Sequence, residues 1–487
     1  MDHAPSRPFW RPTGRRPQRL DSSCLQVPMN VSSTIFREYD IRGIVGDDLT
    51  VEVNEAVGRA YATRLRRTVD RPVVAVGYDN RPSSPELADA LAEGLNAAGA
   101  DVRLVGTVPT PALYYAADVW GTDGGIQITG SHNPPEYNGI KMIVGDRALY
   151  GAAIQELREL VETDRYVDGA GRTERQEILE RYAAEIGRRA GVEGPVRLVL
   201  DCGNGTGSVI APQALALAGI EVDCLYCESD GTFPNHHPDP TVDENVVDLI
   251  ARVKATGADL GVGLDGDADR IGAVTETGGI VRGDHLLLLY ALDALPRYPG
   301  AEIVFDVKCS KALPELIARA GGVPVMWKTG HSLIKERMKE SGSPIAGEMS
   351  GHICFADNFF GFDDAIYAAA RLAGLVQRSG KPFSELAAAI PAYPSTPELR
   401  VDCAEDLKFD VVARAVEHYQ GSHPVNDIDG ARIEFDGGWA LIRASNTQPV
   451  IVLRFEADSV AELRSIRDEV AGYLGGEGVT VPELAGS

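Results

Sequence analysis

Four short segments hold side chains whose types and spacing could do chemistry. In 126-IQITGSHNPPEYNGIKMI-143, Ser131 sits among glycine, asparagine and prolines, with His132 and Asn133 after it and Lys141 further on. Such a loop is either a surface turn or a displayed nucleophile with a cation close by. In 259-DLGVGLDGDADRIGAV-274, Asp265, Asp267 and Asp269 alternate with the small residues Gly266 and Ala268. Three carboxylates this close repel one another unless a cation lies among them. All-oxygen ligation suits Mg²⁺, Mn²⁺ or Ca²⁺. An EF-hand does not fit: Glu276 falls at position twelve of the loop, but Arg270 stands at position six, where the sharp turn needs glycine. Arg270 can instead offset the acidic charge or hold a phosphate.

The third segment, 344-PIAGEMSGHICFADNFFGFDD-364, places Glu348 and Ser350 one residue apart, with His352 two further on. Carboxylate and hydroxyl groups hold vicinal sugar hydroxyls, and a histidine can carry a proton near neutral pH. The fourth, 443-RASNTQP-449, offers Arg443, Ser445, Asn446 and Thr447. One guanidinium, three small polar side chains and turn N–H groups make an anion nest; an ordinary turn uses the same residues. Tyr39 and Arg42 in 36-FREYDIRG-43, Lys308 in 306-DVKC-309 and His331 in 328-KTGHSLIK-335 are weaker signals on their own. Other chemistries lack their motifs. Ser131 has no G-x-S-x-G elbow, no P-loop is present, and 203-GNGTGS-208 has the wrong spacing for a dinucleotide fingerprint. Cys224 and Cys227 form a lone CxxC without the second pair of a zinc site. A redox role for it is weak, because a thioredoxin-type motif opens a helix.

These loops need a frame, and the sequence predicts one. Segments 71–106, 195–226 and 301–327 each read as apolar strand, polar loop, helix, glycine, strand. Each first strand ends at an aspartate, Asp79, Asp201 or Asp306, and each helix closes near Gly99, Gly219 or Gly321. Apolar strands alternating with helices imply parallel βαβ units. The expected fold is α/β: three related mixed α/β domains plus a C-terminal α+β domain around a central cleft. The last domain rests on strand patterns over 430–457 with turns at 436–438 and 445–449, followed by a helix. Expected boundaries are 32–177, 178–279, 280–391 and 392–487, after a disordered N-terminal extension over 1–31. That extension is rich in proline and arginine and lacks apolar periodicity. Met29 is the expected natural start, which an intact mass beginning at Met1 or Asp2 would refute.

Composition agrees. At about 100–200 residues per domain, 487 residues call for three or four domains. A net charge of −24 and the lack of a basic stripe argue against nucleic acid. No run of about 18 apolar residues predicts a membrane span. The seven scattered cysteines suit a reducing, cytoplasmic location.

Taken in order, 129-TGSHNP-134, 265-DGDADR-270, 347-GEMSGH-352 and 443-RASNTQP-449 resemble the phosphoserine, metal, sugar and phosphate loops of the α-D-phosphohexomutases. The likeness runs from about residue 34 to 475 and favours the bacterial phosphomannomutase/phosphoglucomutase branch. It implies four domains around a cleft and reversible phosphoryl transfer between C1 and C6 of mannose or glucose phosphates through a hexose 1,6-bisphosphate. It implies a phosphorylated Ser131, with Mg²⁺ on Asp265, Asp267, Asp269 and an oxygen of that serine. Glu348 and Ser350 would grip the sugar O3 and O4, and Arg443, Ser445, Asn446 and Thr447 the non-reacting phosphate. Tyr39, Arg42, Lys308, His331 and His352 would contact substrate. Lys141 and Arg270 would neutralise the transferring group, with Lys141 and His352 the candidates for the base. Met349 sets the chain apart from the phosphoglucosamine branch, which usually carries glutamine there. A phosphoglucosamine mutase, a phosphatase and a non-enzymatic sugar-phosphate or divalent-cation binder are the competing readings. The expected partners are small hexose phosphates, with no nucleic acid and no membrane, in a monomer or weak homo-oligomer.

Overall fold

A computed structural model describes residues 31–446 and 448–482. The N-terminal extension expected over 1–31, the candidate start at Met29 and the candidate clamp residue Thr447 therefore lie wholly or almost wholly outside the described residues. Among the described residues the strands form four sheets. In the first, Val73–Tyr78 lies parallel between Gly124–Ile128 and Asp101–Thr107. In the second, Arg197–Asp201 lies parallel between Leu260–Leu264 and Glu221–Leu225. In the third, Glu302–Asp306 lies parallel between Ile345–Gly347 and Val323–Trp327. The fourth is wholly antiparallel.

The three repeats form as the sequence predicts. Val73–Tyr78 is β-branched and apolar, as a strand buried on both faces requires. Ser84–Ala97 follows, burying Leu87, Ala88, Leu91 and Leu95 along one stripe. Gly99, Gly219 and Gly321 all take positive φ just past their helices, where a side chain would be strained. The C-terminal sheet contains Ala431–Phe435, Gly438–Ala444 and Val450–Ala457, then the helix Val460–Gly476. Leu399–Asp402 and Val425–Asn426 complete it, two strands too short for the sequence pattern to reveal.

The sequence pattern revealed an antiparallel hairpin only in the last unit, yet all four units share the feature. In each α/β unit the strand next to the central one turns back into an antiparallel partner. Gly124–Ile128 pairs with Tyr137–Val144, Leu260–Leu264 with Ile271–Thr275, and Ile345–Gly347 with Ile353–Phe355. Gly438–Ala444 and Val450–Ala457 do the same in the last unit. Each candidate loop is the tip of one of these four hairpins. No helix of the described residues is long and apolar enough to cross a membrane.

Candidate active site

Ser131 adopts a left-handed backbone conformation, φ +50°. For a non-glycine residue this costs about 1–2 kcal/mol, so something must hold it. Arg81 does: its guanidinium donates to the carbonyls of Ser131, Asn133 and Pro134 at 2.8, 2.6 and 2.6 Å. Hydrogen bonds from a charged donor contribute about 1.5–3 kcal/mol each, enough to outweigh the strain. Asp79 orients Arg81 through Nε and also accepts from Thr129 Oγ1 and the Gly130 N–H. Both are buried, Arg81 to 1% and Asp79 to 2% exposure. Asp79 was visible in the sequence only as the end of a strand, and Arg81 gave no signal.

Thus held, Ser131 Oγ lies 2.9 Å from Asp265 Oδ2, to which it donates, and 3.1 Å from His132 Nδ1. Asp265, Asp267 and Asp269 are fully buried, and an oxygen from each lies within 4.8 Å of the others. Gly266 is required between them. A Cβ there would lie 2.3 Å from the Ser131 carbonyl oxygen, so only glycine lets the acidic loop close on the serine. Lys141 Nζ bridges Asp267 Oδ2 at 2.7 Å and Asp269 Oδ2 at 2.6 Å. Burial alone would favour neutral Lys141, but Asp267 and Asp269 outweigh it and hold the ammonium protonated. Thr110 adds its backbone N–H to the Asp267 carbonyl and its hydroxyl to the Asp267 carboxylate.

The donor set fits a hard divalent cation. The three carboxylates supply oxygens only, and Asp267 Oδ1, fully enclosed, has no hydrogen-bond partner. Burial, then the Asp269 and Asp267 charges, push the Asp265 carboxyl well above its ordinary range, the mark of crowded anions. Glu276, the residue at the twelfth EF-hand position, turns away and accepts from the backbone and hydroxyl of Ser384.

The sugar-loop candidates join this centre through the backbone. Ile271 donates to the Gly351 carbonyl, and Arg270 bridges to His352. Glu348 accepts from the Gly330 N–H at 2.7 Å and from His352 Nδ1 at 2.9 Å. Burial works against its charge, yet His352 and Lys308 bring its pKa down to about 2. Ser350 Oγ lies 3.2 Å from His352 Nδ1. His352 Nε2 faces Arg270 Nε at 3.2 Å and Asp269 Oδ1 at 3.3 Å. These contacts are exclusive: Nε2 accepts from Arg270 when neutral and donates to Asp269 when protonated. His331 stacks on His352 with centroids 5.0 Å apart, and its Nδ1 pairs with Asp363 at 3.0 Å. Asp363 also accepts from Lys335 at 2.7 Å. Asp363 and Lys335 are structural partners that sequence reading missed, although both lie within or beside segments it singled out.

The phosphate-loop candidates make a further set of contacts. Arg443 Nε pairs with Asp429 at 2.7 Å, and Ser445 Oγ accepts from the Gln448 N–H. Tyr39 closes the ring: its hydroxyl donates to the Thr329 carbonyl at 2.7 Å and accepts from Asn446 Nδ2 at 3.0 Å. Arg42 pairs with Asp40 and reaches Asn133. Lys308 Nζ lies 3.3 Å from Glu398 and 3.8 Å from Asp306. The described candidates thus join through hydrogen bonds, ion pairs and loop backbone, although they come from the four hairpin tips and from segments beside them.

Models of the phosphoglucomutase/phosphomannomutase family match the chain in sequence: α/β/α domain I over 33–167, domain II over 179–279, domain III over 282–393 and the C-terminal domain over 398–472. The phosphomannomutase/phosphoglucomutase of Pseudomonas aeruginosa is 50% identical over 437 residues, covering 89% of this chain and 94% of that one. A phosphoglucomutase of Neisseria meningitidis is 44% identical over 452 residues, covering 91% and 97%. The crystal structure of a phosphoglucomutase/phosphomannomutase family protein from Burkholderia thailandensis superposes with a TM-score of 0.86 at 43% identity, covering 92% and 98%.

Proposed function

This chain belongs to the phosphoglucomutase/phosphomannomutase family, and from that premise we propose a role for each loop of its cleft. The chain is a phosphohexomutase, an isomerase that moves a phosphoryl group reversibly between C1 and C6 of a hexose. Its substrates are mannose and glucose phosphates, as the names of its relatives indicate.

Ser131 is the phosphoryl carrier. Phosphoryl transfer needs positioning and charge neutralisation more than covalent help, and the loop supplies both. Phosphorylated Ser131 gives its phosphoryl group to the free hydroxyl of a hexose monophosphate, leaving a hexose 1,6-bisphosphate and a serine hydroxyl. The bisphosphate turns over in the cleft and returns its other phosphoryl group to Ser131. Glu348 and Ser350 grip O3 and O4, which either orientation presents. Arg443, Ser445, Asn446 and Thr447 hold the phosphate that is not reacting, and Tyr39, Arg42, Lys308 and His331 line the path. Arg270 and Lys141 neutralise the transferring group, and Lys141 and His352 are the candidates for taking the hydroxyl proton.

The acidic cluster and the family together indicate a divalent metal. We assign Mg²⁺, held by Asp265, Asp267, Asp269 and an oxygen on Ser131; when bound it supplies positive charge at that oxygen. Hexose 1,6-bisphosphate is the activator that charges the serine. The observation carrying this reading is Ser131 Oγ, held in a strained conformation 2.9 Å from Asp265. A cytoplasmic location and a monomer or weak homo-oligomer remain our expectation.

A panel of mannose, glucose and glucosamine 1-phosphates with trace 1,6-bisphosphate tests the assignment. Interconversion of the first two to 6-phosphates supports it. Release of inorganic phosphate indicates a phosphatase, preference for glucosamine the other branch, and no turnover a binder.

A further inference from the structure

The CxxC of the sequence has a third thiol beside it. Cys227 Sγ lies 3.2 Å from Cys202 Sγ, across the ends of the parallel strands Arg197–Asp201 and Glu221–Leu225. Tyr226 takes a left-handed φ of +51° at the strand end, just before Cys227. Cys202 is fully buried, Cys227 half-buried and Cys224 exposed. None of the three belongs to the mutase site.

We propose that Cys202 and Cys227 form a reversible redox pair, oxidised by a hydroperoxide to a disulfide that displaces the loop supporting the acidic cluster. In the first step the Cys227 thiolate attacks one oxygen of hydrogen peroxide; the O–O bond breaks, the other oxygen leaves as hydroxide and takes a proton from solvent to become water, and Cys227 becomes a sulfenic acid. In the second the Cys202 sulfur attacks the Cys227 sulfur; the S–O bond breaks, a second water leaves and the S–S bond forms. Two thiols are oxidised by two electrons and one hydroperoxide is reduced. Cys227 is the better nucleophile: the Cys202 thiol beside it, outweighing its burial, lowers its pKa, whereas burial raises those of Cys202 and Cys224.

The coupling to the site is short. An S–S bond is about 2.05 Å long, so the sulfurs must approach by about 1.2 Å. Cys202 leads straight into Gly203, Asn204 and Gly205, a turn with two left-handed residues. Asn204 ties that turn to the same strand end, donating to the carbonyls of Tyr226 and Glu228 and accepting from the Asn235 and Asn80 side chains and the Asp230 N–H. Gly205 lies so close to Gly266 that a Cβ on it would be 2.6 Å from the Gly266 carbonyl oxygen. Thr206 donates to that oxygen twice, from its N–H and its hydroxyl, each at 2.8 Å. Gly266 stands between Asp265 and Asp267, against Ser131. A pull on Cys202 therefore reaches the metal ligands through one turn of chain.

The test treats the full, Mg²⁺-loaded chain with hydrogen peroxide, then counts free thiols, maps cross-linked peptides and measures mutase rate. The expected result is loss of two of the seven thiols, a Cys202–Cys227 cross-link, and a several-fold fall in rate that dithiothreitol reverses. Cys202→Ser and Cys227→Ser should keep their rate in peroxide. If buried Cys202→Ser melts prematurely, Cys227→Ser alone decides, because either change removes the pair. A cross-link between Cys224 and Cys227, seven unreacted thiols, an unchanged rate after the Cys202–Cys227 bond forms, or equal inactivation of the serine variants would each overturn the proposal.

Discussion

Arg81→Lys tests the positioning of Ser131 while keeping the positive charge. In the structure one planar guanidinium serves three carbonyls of the serine loop and Asp79 at once. An ammonium is a point donor and cannot span that fork. At least two of the three carbonyl bonds are lost, each contributing about 1.5–3 kcal/mol. Water entering the gap recovers part, so the loop should lose about 2–4 kcal/mol of its preference for the observed conformation. The left-handed strain at Ser131 then relaxes. If the relaxed loop is inactive, kcat falls by about 30- to 1,000-fold, since about 1.4 kcal/mol is tenfold in rate. KM should stay within a few-fold, because the proposed sugar and phosphate contacts lie on other hairpins. Steady-state kinetics with a coupled assay gives both constants, and a thermal melt shows whether the whole fold has suffered. A kcat within threefold of the parent, with an intact melt, would refute the argument that Arg81 holds the reacting conformation.

Three further outcomes follow from the same geometry. Gly266→Ala puts a Cβ 2.3 Å from the Ser131 carbonyl oxygen, so it should cost at least about 100-fold in kcat, the effect of misplacing reacting groups by about 1 Å; normal kinetics would mean the two loops need not touch. Asp267→Asn should weaken metal activation at least about tenfold, read from a Mg²⁺ titration of activity, and an unchanged titration would remove the acidic loop from the metal site. Lys308 and then burial set the Glu398 carboxyl, with Lys308 prevailing and its pKa depressed to about 2. A depressed carboxyl stabilises the fold above its ordinary pKa and loses that contribution as the pH falls through the folded value. The stability gap between parent and Glu398→Gln, measured by urea unfolding, should therefore narrow as pH is lowered from about 5 to about 3; a gap that widens would contradict the pairing.

The sequence made some of this architecture plain and hid the rest for physical reasons. Periodicity placed the three strand–helix–strand repeats and the last hairpin, because local patterning is what a buried strand or an amphipathic helix imprints. Gly266 is a residue whose small size could be seen but not its cause, the Ser131 carbonyl packed against it from another unit. Arg81 and Asp363 were invisible as site components because they touch their partners from 50 and 32 residues away. Asp79, Asp201 and Asp306 read as strand ends; folded, each braces a nearby turn or loop, accepting respectively from Gly130, Gly203 and Met349 N–H groups. Cys202 gave no hint that it completes a thiol pair with Cys227, since that contact crosses a parallel strand pair.

Ser131 is the proposed carrier of the phosphoryl group. The direct measurement is to incubate the protein with hexose 1,6-bisphosphate labelled in its phosphates, locate the label by peptide mass spectrometry, and chase it with unlabelled monophosphate. The expected result is one labelled residue, Ser131, whose phosphoryl group appears on both the 1- and 6-positions of the sugar and is missing from Ser131→Ala, which should not turn over. Label on any other residue, or mutase turnover persisting in Ser131→Ala, would contradict it.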